Sequence, residues 1–210
     1  MKTVGQPLQQ PIFTRRQIHT GYANLGKSQF AGPALHRKNQ LTAANHNPPI
    51  VESTHAAQRV LAWQDETDTA AFATQLAALA ETRNAFITLH GDLGAGKTTL
   101  VRHLLRSLGV QGRIKSPTYA VVEPHEVPDL NIWHFDFYRF DDPREWEDAG
   151  FRDIFASEGL KLAEWPEKAA SLTPQADLAI YIEAIDETQR RVTLRTRTER
   201  GRHMLQHWPQ

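Results

Sequence analysis

The chain has 210 residues, enough for one domain with a substantial core plus a further segment, and no cysteine, which excludes a disulfide framework and a thiolate zinc site. Its 24 Lys and Arg balance 24 Asp and Glu, yet six of the basic residues and none of the acids fall in residues 1–51, leaving 18 against 24, a net of −6, in residues 52–210. No run approaches the roughly 18 apolar residues of a membrane span and the N-terminus lacks the apolar centre of a secretory signal, so a soluble, cytoplasmic protein without membrane contact is expected.

Residues 1 to about 55 are rich in Gln, Asn, Pro, His and Gly without helical or strand periodicity, and they read as a disordered basic extension. A nucleic-acid arm and an organelle transit peptide are the functional alternatives. The folded body is expected over residues 56–200, with 201–210 as a tail. It opens with a strand at 59–63. A helix follows from about Thr67, with Phe72, Leu76 and Leu79 spaced at i, i+4 and i+7.

The short apolar run 85–89 reads as a buried parallel strand. Directly after it, Gly91-Asp92-Leu93-Gly94-Ala95-Gly96-Lys97-Thr98 fits the pattern G-x-x-x-x-G-K-[ST]. Val101, Leu104, Leu105 and Leu108 then mark a helix that Gly109 ends. Strand, glycine-rich turn and helix in that order are the setting of a phosphate-binding loop. Glycines turn tightly and aim backbone amides at phosphate oxygens, Lys97 reaches the terminal phosphates, and the Thr98 hydroxyl suits magnesium. A nucleoside triphosphate is therefore the expected ligand. The bland reading, a glycine-rich turn that happens to contain Lys-Thr, leaves the flanking strand and helix unexplained.

Ser116-Pro117-Thr118-Tyr119 reads as a loop, and strands at 120–123 and 130–138, joined across Pro128-Asp129, as an antiparallel hairpin. Asp142-Pro143-Arg144-Glu145 opens a helix with an N-cap, a first-position proline and an acid three residues after the cap. That helix stops near Gly150, and Phe151, Ile154 and Phe155 mark another helical turn. Strands at 160–165, 178–185 and 191–197 complete the order. The expected fold class is α/β, a three-layer P-loop NTPase sandwich with a mixed, largely parallel central sheet that includes an antiparallel hairpin. Ligands then sit beyond the carboxyl ends of the central strands.

Asp136 follows an apolar strand and is the leading carboxylate for a metal, with Asp92 and Asp129 as rivals and the outward side of an alternating strand as the bland alternative. Glu164 closes another apolar strand and should reach the same edge of the sheet. Thr118 either touches the terminal phosphate or the metal, or belongs to an ordinary Ser-Pro-Thr turn. Trp165, expected to be extended before Pro166, either stacks on a base or partner or is half-buried core. Arg139 either neutralises charge in the reaction or pairs with the Asp141-Asp142 turn.

Four blocks carry a resemblance: Gly91 to Leu100, Ser116-Pro117-Thr118-Tyr119, His134-Phe135-Asp136-Phe137-Tyr138-Arg139, and Glu164-Trp165-Pro166. In order and spacing they resemble the TsaE family, bacterial P-loop ATPases needed for threonylcarbamoyladenosine modification of tRNA. The likeness spans roughly residues 59–200 and does not reach residues 1–55. It implies an ATPase that acts with TsaB and TsaD at position 37 of tRNAs reading codons that begin with A, with ATP and Mg2+ as cofactors. It implies that Gly91, Asp92, Leu93, Gly94, Ala95, Gly96, Lys97, Thr98, Thr99, Thr118 and Trp165 hold the nucleotide. Thr98, Asp136 and Glu164 would hold the metal, and Lys97, Asp136 and Glu164 would carry catalysis. The acidic body points to tRNA contact mainly through the complex, since phosphate contacts supply most non-specific affinity. The oligomeric state is left open. A small-molecule kinase would need a lid rich in arginine, and no such stretch is evident. A non-catalytic nucleotide switch or scaffold is the other alternative, and the missing Asn-Lys-x-Asp run argues against a GTPase.

Overall fold

Residues 57–208 are described in the computed structural model. The expected basic extension over residues 1–55 lies outside them. In chain order the elements are β1 (Ala57–Trp63), α1 (Glu66–Ala78), β2 (Phe86–His90), α2 (Lys97–Ser107), β3 (Val122–Val127), β4 (Leu130–Asp136), α3 (Pro143–Asp148), α4 (Phe151–Ala156), β5 (Leu160–Glu164), β6 (Leu178–Ala184), β7 (Arg190–Thr196) and α5 (Glu199–Gln206). Short 3-10 turns at Ala80–Asn84 and Pro166–Ala169 join them.

The strands form one sheet in the order β1-β7-β6-β2-β5-β4-β3. Its centre, β6, β2, β5 and β4, is parallel, and the outer pairings of β1, β7 and β3 are antiparallel. Only His90 escapes full burial in β2 and β5, as expected where helices cover both faces of parallel strands. Alternation along the strands sends Ile87, Leu89, Ile132 and Leu162 to the layer of α1, α2 and α5, where Leu76, Leu100, Leu104 and Met204 pack. It sends Phe86, Phe135, Phe137 and Ala163 to the opposite face, which Trp146 of α3 and Phe151 of α4 cover. The α/β sandwich with a mixed sheet and a β3–β4 hairpin is thus as expected.

Three local readings need correction. The strand expected at 120–123 is found at Val122–Val127, preceded by Val121 with φ of 65°. Pro124 would halt a central strand, but β3 is the edge of the sheet, where a missing amide is tolerated. Of residues 201–210, read as tail, 201–206 continue α5, and Gly201, Met204 and Trp208 are buried. Thr198 caps α5 by accepting from the Gly201 amide at 3.0 Å, Met204 is buried, and Trp208 stacks on Phe72 at 4.7 Å while donating to Gln75 at 2.9 Å. Trp165 is left-handed, φ 55° and ψ 46°, rather than extended. Among the described residues no helix is long and apolar enough to cross a membrane.

Candidate functional site

The loop after β2 is built by backbone geometry. Gly91 has φ of 138°, and a Cβ there would come within 2.2 Å of the Ile182 carbonyl oxygen, so only glycine fits. Gly96, at φ 109°, forms the start of α2 without a side-chain cap, which leaves the first amides of that helix facing the loop. Lys97, 4% exposed, donates to the carbonyls of Gly91 at 2.6 Å and Asp92 at 2.8 Å and lies 4.0 Å from the centre of the Trp165 ring. Burial pushes its ammonium below the ordinary lysine value, and Glu164, Glu167, Asp136 and Asp92 pull the other way.

The acids stand opposite this loop. Asp136 and Glu164 are register partners at the carboxyl ends of the adjacent parallel strands β4 and β5, and each is 3% exposed. The alternation that places Phe135 against the aromatic layer turns His134 and Asp136 toward α2. The Thr98 hydroxyl donates to the Glu164 carboxylate, 2.9 Å from Oε1 and 3.0 Å from Oε2. His134, fully buried, lies with Nε2 2.9 Å from Glu164 Oε1, so that nitrogen carries the proton in this contact. Asp136 Oδ2 accepts from Thr118 Oγ1 at 2.7 Å and from Ser116, while Oδ1 accepts from the Tyr138 amide at 3.0 Å. Asp136 therefore grips the 116–118 loop, and Glu164 grips the start of α2.

These groups surround a cavity of about 310 Å³ lined by Leu93, Gly94, Gly96, Lys97, Thr98, Thr99, Ser116, Thr118, Asp136, Tyr138, Glu164 and Trp165. A second cavity of about 270 Å³ shares Gly94, Gly96 and Thr99 and extends to Trp63, Glu66 and Arg190. Of the expected site residues, Gly91, Asp92 and Ala95 do not line the first cavity. Gly91 and Asp92 receive Lys97, and the Ala95 carbonyl accepts from Arg190 Nε at 2.9 Å. Asp129 falls away: it precedes β4 and so stands about 23 Å from Asp136 along that strand. Arg139 packs 4.4 Å from the Tyr119 ring, while Asp142 pairs with Arg144 and Asp141 with Lys168. Ser116, His134 and Tyr138 join the site although the sequence reading assigned them no role.

The donor set suits the implied groups. Hard oxygens from Thr98, Glu164 and Asp136 fit magnesium, which keeps waters and phosphate oxygens among its ligands.

A parallel-centred sheet with G-x-x-x-x-G-K-T between β2 and α2, and two buried carboxylates at the ends of β4 and β5, defines a fold of the P-loop NTPase kind. The family model described as "Threonylcarbamoyl adenosine biosynthesis protein TsaE" matches residues 63–192. The chain belongs to the TsaE family. It is 41% identical over 134 residues to the tRNA threonylcarbamoyladenosine biosynthesis protein TsaE of Haemophilus influenzae, covering 64% of this chain and 84% of that one. The protein of the same name from Bacillus subtilis is 35% identical over 126 residues, covering 60% and 78%. The crystal structure of Bacillus subtilis YdiB superposes with a TM-score of 0.60 at 25% identity, over 73% of this chain and 95% of that one.

Proposed function

We propose that the body from residue 57 onward binds and hydrolyses ATP with magnesium in the cytoplasm, serving threonylcarbamoyladenosine modification of tRNA at position 37 together with TsaB and TsaD. The observation that carries the proposal is the convergence of Lys97, Thr98, Glu164 and Asp136 on one cavity at the carboxyl edge of the sheet. Family membership supplies the tRNA context, through the names of the relatives.

The residues divide the work. Loop amides and Lys97 hold the terminal phosphates, and the cost of keeping the Lys97 charge buried is offset when an anion comes against it. Magnesium, when bound, neutralises charge on the phosphate oxygens. Thr98 and Glu164, already in contact, are the pair placed to hold it, and His134 fixes the Glu164 carboxylate from behind. Asp136 holds the 116–118 loop at the wall of the cavity through two hydroxyls, so any movement of that loop is felt at Asp136. The net charge of −6 on residues 52–210 leaves tRNA recruitment mainly to the partners.

The test is ATP binding and turnover with the purified chain, then with TsaB and TsaD, then with tRNA added. Magnesium-dependent binding by the chain alone and faster turnover with partners are expected. Binding without turnover in the full mixture would favour a nucleotide switch, and absence of binding would remove the reading.

A further inference from the structure

Among the described residues three buried side-chain nitrogens have no hydrogen-bond partner. One, Arg202 Nε, lies on α5. The other two, His125 Nε2 and His134 Nδ1, lie on the paired strands β3 and β4, and His134 is the ring that holds Glu164. Buried polar atoms almost always have a partner, so two orphans on neighbouring strands point to one they share.

The register puts both rings on one face. His125 is paired with Ile132 and Glu123 with His134, and paired residues of antiparallel strands point to the same side. Ile132 packs in the layer of α2 and Phe135 in the opposite one, so His134 and His125 both face α2. His125 is then the diagonal neighbour of His134, at about 7–8 Å, a span that two imidazole rings close with one water between them. Burial, and next the charge of His134, hold the His125 imidazole below its ordinary pKa, with Glu123 opposing, and a neutral ring has one donor and one acceptor nitrogen.

His134 has one proton to place. Its Nε2 lies 2.9 Å from Glu164 Oε1, and a carboxylate only accepts, so the proton sits on Nε2 and Nδ1 remains as an acceptor inside the protein. Which nitrogen of a histidine carries the proton is set by the bond that the other makes. The register partner Glu123, itself an acceptor, cannot serve Nδ1 in this form. Glu164 Oε1 also takes the Thr98 hydroxyl at 2.9 Å, so the aim of the carboxylate depends on a ring whose far side needs a donor.

We propose that His125 is a positioning residue for the nucleotide site: its Nε2–H donates to one buried water, which donates to His134 Nδ1 and so holds the Nε2–H form of that ring against Glu164. The link runs from β3, the edge of the sheet, to the start of α2, and His125 itself lies outside the cavity. Its effect on magnesium rests on the ATPase reading above, whereas the link between the two rings stands on geometry alone.

The experiment has one arm without ligand and one with it, both on the full chain. Imidazole nitrogen NMR, without nucleotide or metal, should show His134 protonated at Nε2 only, with Nδ1 accepting a hydrogen bond. His125→Phe should move the Nδ1 resonance to that of an unbonded acceptor. A His134 ring protonated at both nitrogens, or an Nδ1 resonance that His125→Phe leaves in place, overturns the proposal. In the second arm ATP binding is titrated with magnesium. His134→Phe should raise the half-saturating magnesium concentration about 10- to 100-fold, the usual cost of losing a group that orients a metal-binding side chain, and His125→Phe, one step further out, about threefold. His134→Gln keeps an N–H donor toward Glu164 and has no tautomer to choose, so it should stay within about threefold of the unaltered chain, and adding His125→Phe to it should change nothing more. An equal effect of His125→Phe in both backgrounds would mean general support of β3 and overturns the link. Absence of magnesium-dependent ATP binding from the unaltered chain would sink the ATPase reading, and the NMR arm would still decide the link between the rings.

Discussion

The layer of α1, α2 and α5 and the layer of α3 and α4 hold opposite sides of one sheet by different means. In the first, helical spacing of aliphatic residues is enough: α2 runs for eleven residues and buries Leu100, Val101, Leu104 and Leu105 along one side. In the second, α3 and α4 have six residues each, too short to persist without tertiary contacts. Rings hold them. Trp146 stacks on Phe155 at 5.2 Å, and Phe135 meets Phe151 at 5.3 Å and Phe155 at 5.0 Å. The difference teaches where the site draws its order. The phosphate loop is shaped by its own glycines and by α2, whereas Asp136 lies between Phe135 and Phe137 and inherits its position from the aromatic layer.

The largest effects are expected where the two sides meet. Glu164→Gln should reduce single-turnover hydrolysis by a factor of about 10² to 10⁴ if the carboxylate activates water, with ATP affinity and melting temperature kept. Loss of magnesium-dependent ATP affinity together with rate would make it a metal ligand instead, as its contact with Thr98 favours. An unchanged rate would remove Glu164 from the site. On the loop side, Lys97→Ala should lower turnover by about 10² to 10³. Its melting temperature should change little, because the lost bonds to Gly91 and Asp92 are offset by relief of a buried charge.

Removing one large side chain from each layer separates support of the site from support of the fold. Trp146→Ala should destabilise by about 3–5 kcal/mol and Leu76→Ala by about 2–5 kcal/mol, from denaturant unfolding. Turnover per folded molecule should fall only in the first, because only Trp146 packs in the cluster that holds Phe135 and Phe137, the two neighbours of Asp136. Equal turnover in the two variants would mean that the aromatic layer supports the fold alone. A smaller effect tests the membership of α5 in the helical layer. Thr198→Ala removes its cap and the 2.6 Å bond to Asp177, and should destabilise by about 1–2 kcal/mol.

The same contrast governs what could be read from the amino acids. The phosphate loop and α2 are legible because a contiguous motif and a continuous helical period carry them. Asp136 and Glu164 are legible as strand ends, since each closes an apolar run and parallel strands end at one edge. Their partners are not. Ser116 reaches Asp136 across 20 residues, His134 reaches Glu164 across 30, and Thr98 reaches Glu164 across 66. Local spacing says nothing about such contacts. The helix α5 is hidden by its charge-rich start, Glu199-Arg200-Gly201-Arg202, in which Gly201 is required because a Cβ would lie 1.9 Å from the Asp177 carbonyl oxygen. The left-handed Trp165 runs against the extended geometry that a following proline favours, and its ring lies 4.0 Å from the Lys97 ammonium and 5.0 Å from the Tyr138 ring.

The smallest expected effect lies at His90, the last residue of β2 and the point where the aromatic side of the sheet touches the phosphate loop. Its ring stacks on Tyr181 at 4.3 Å, Nε2 is 3.1 Å from Thr88 Oγ1, and Nδ1 is 3.9 Å from Glu167. Burial holds its pKa below the ordinary 6.5. Glu167 opposes that shift, and the charges of Arg195 and Lys97 add to it. A depressed value in the folded state means that the unfolded chain takes up this proton first as pH falls. Stability linked to His90 is therefore complete above about pH 6.5 and is lost as acidification carries the site down through its lowered folded-state value. His90→Phe preserves the stack on Tyr181 and removes the titration, so its melting temperature should fall less steeply than that of the unaltered chain between about pH 7 and pH 5. Other titrating groups are the same in both chains and drop out of the comparison. Parallel curves would show that protonation at His90 is tolerated, with Glu167 compensating for the buried charge, and the loop would then be insulated from the chemistry of the face beneath it.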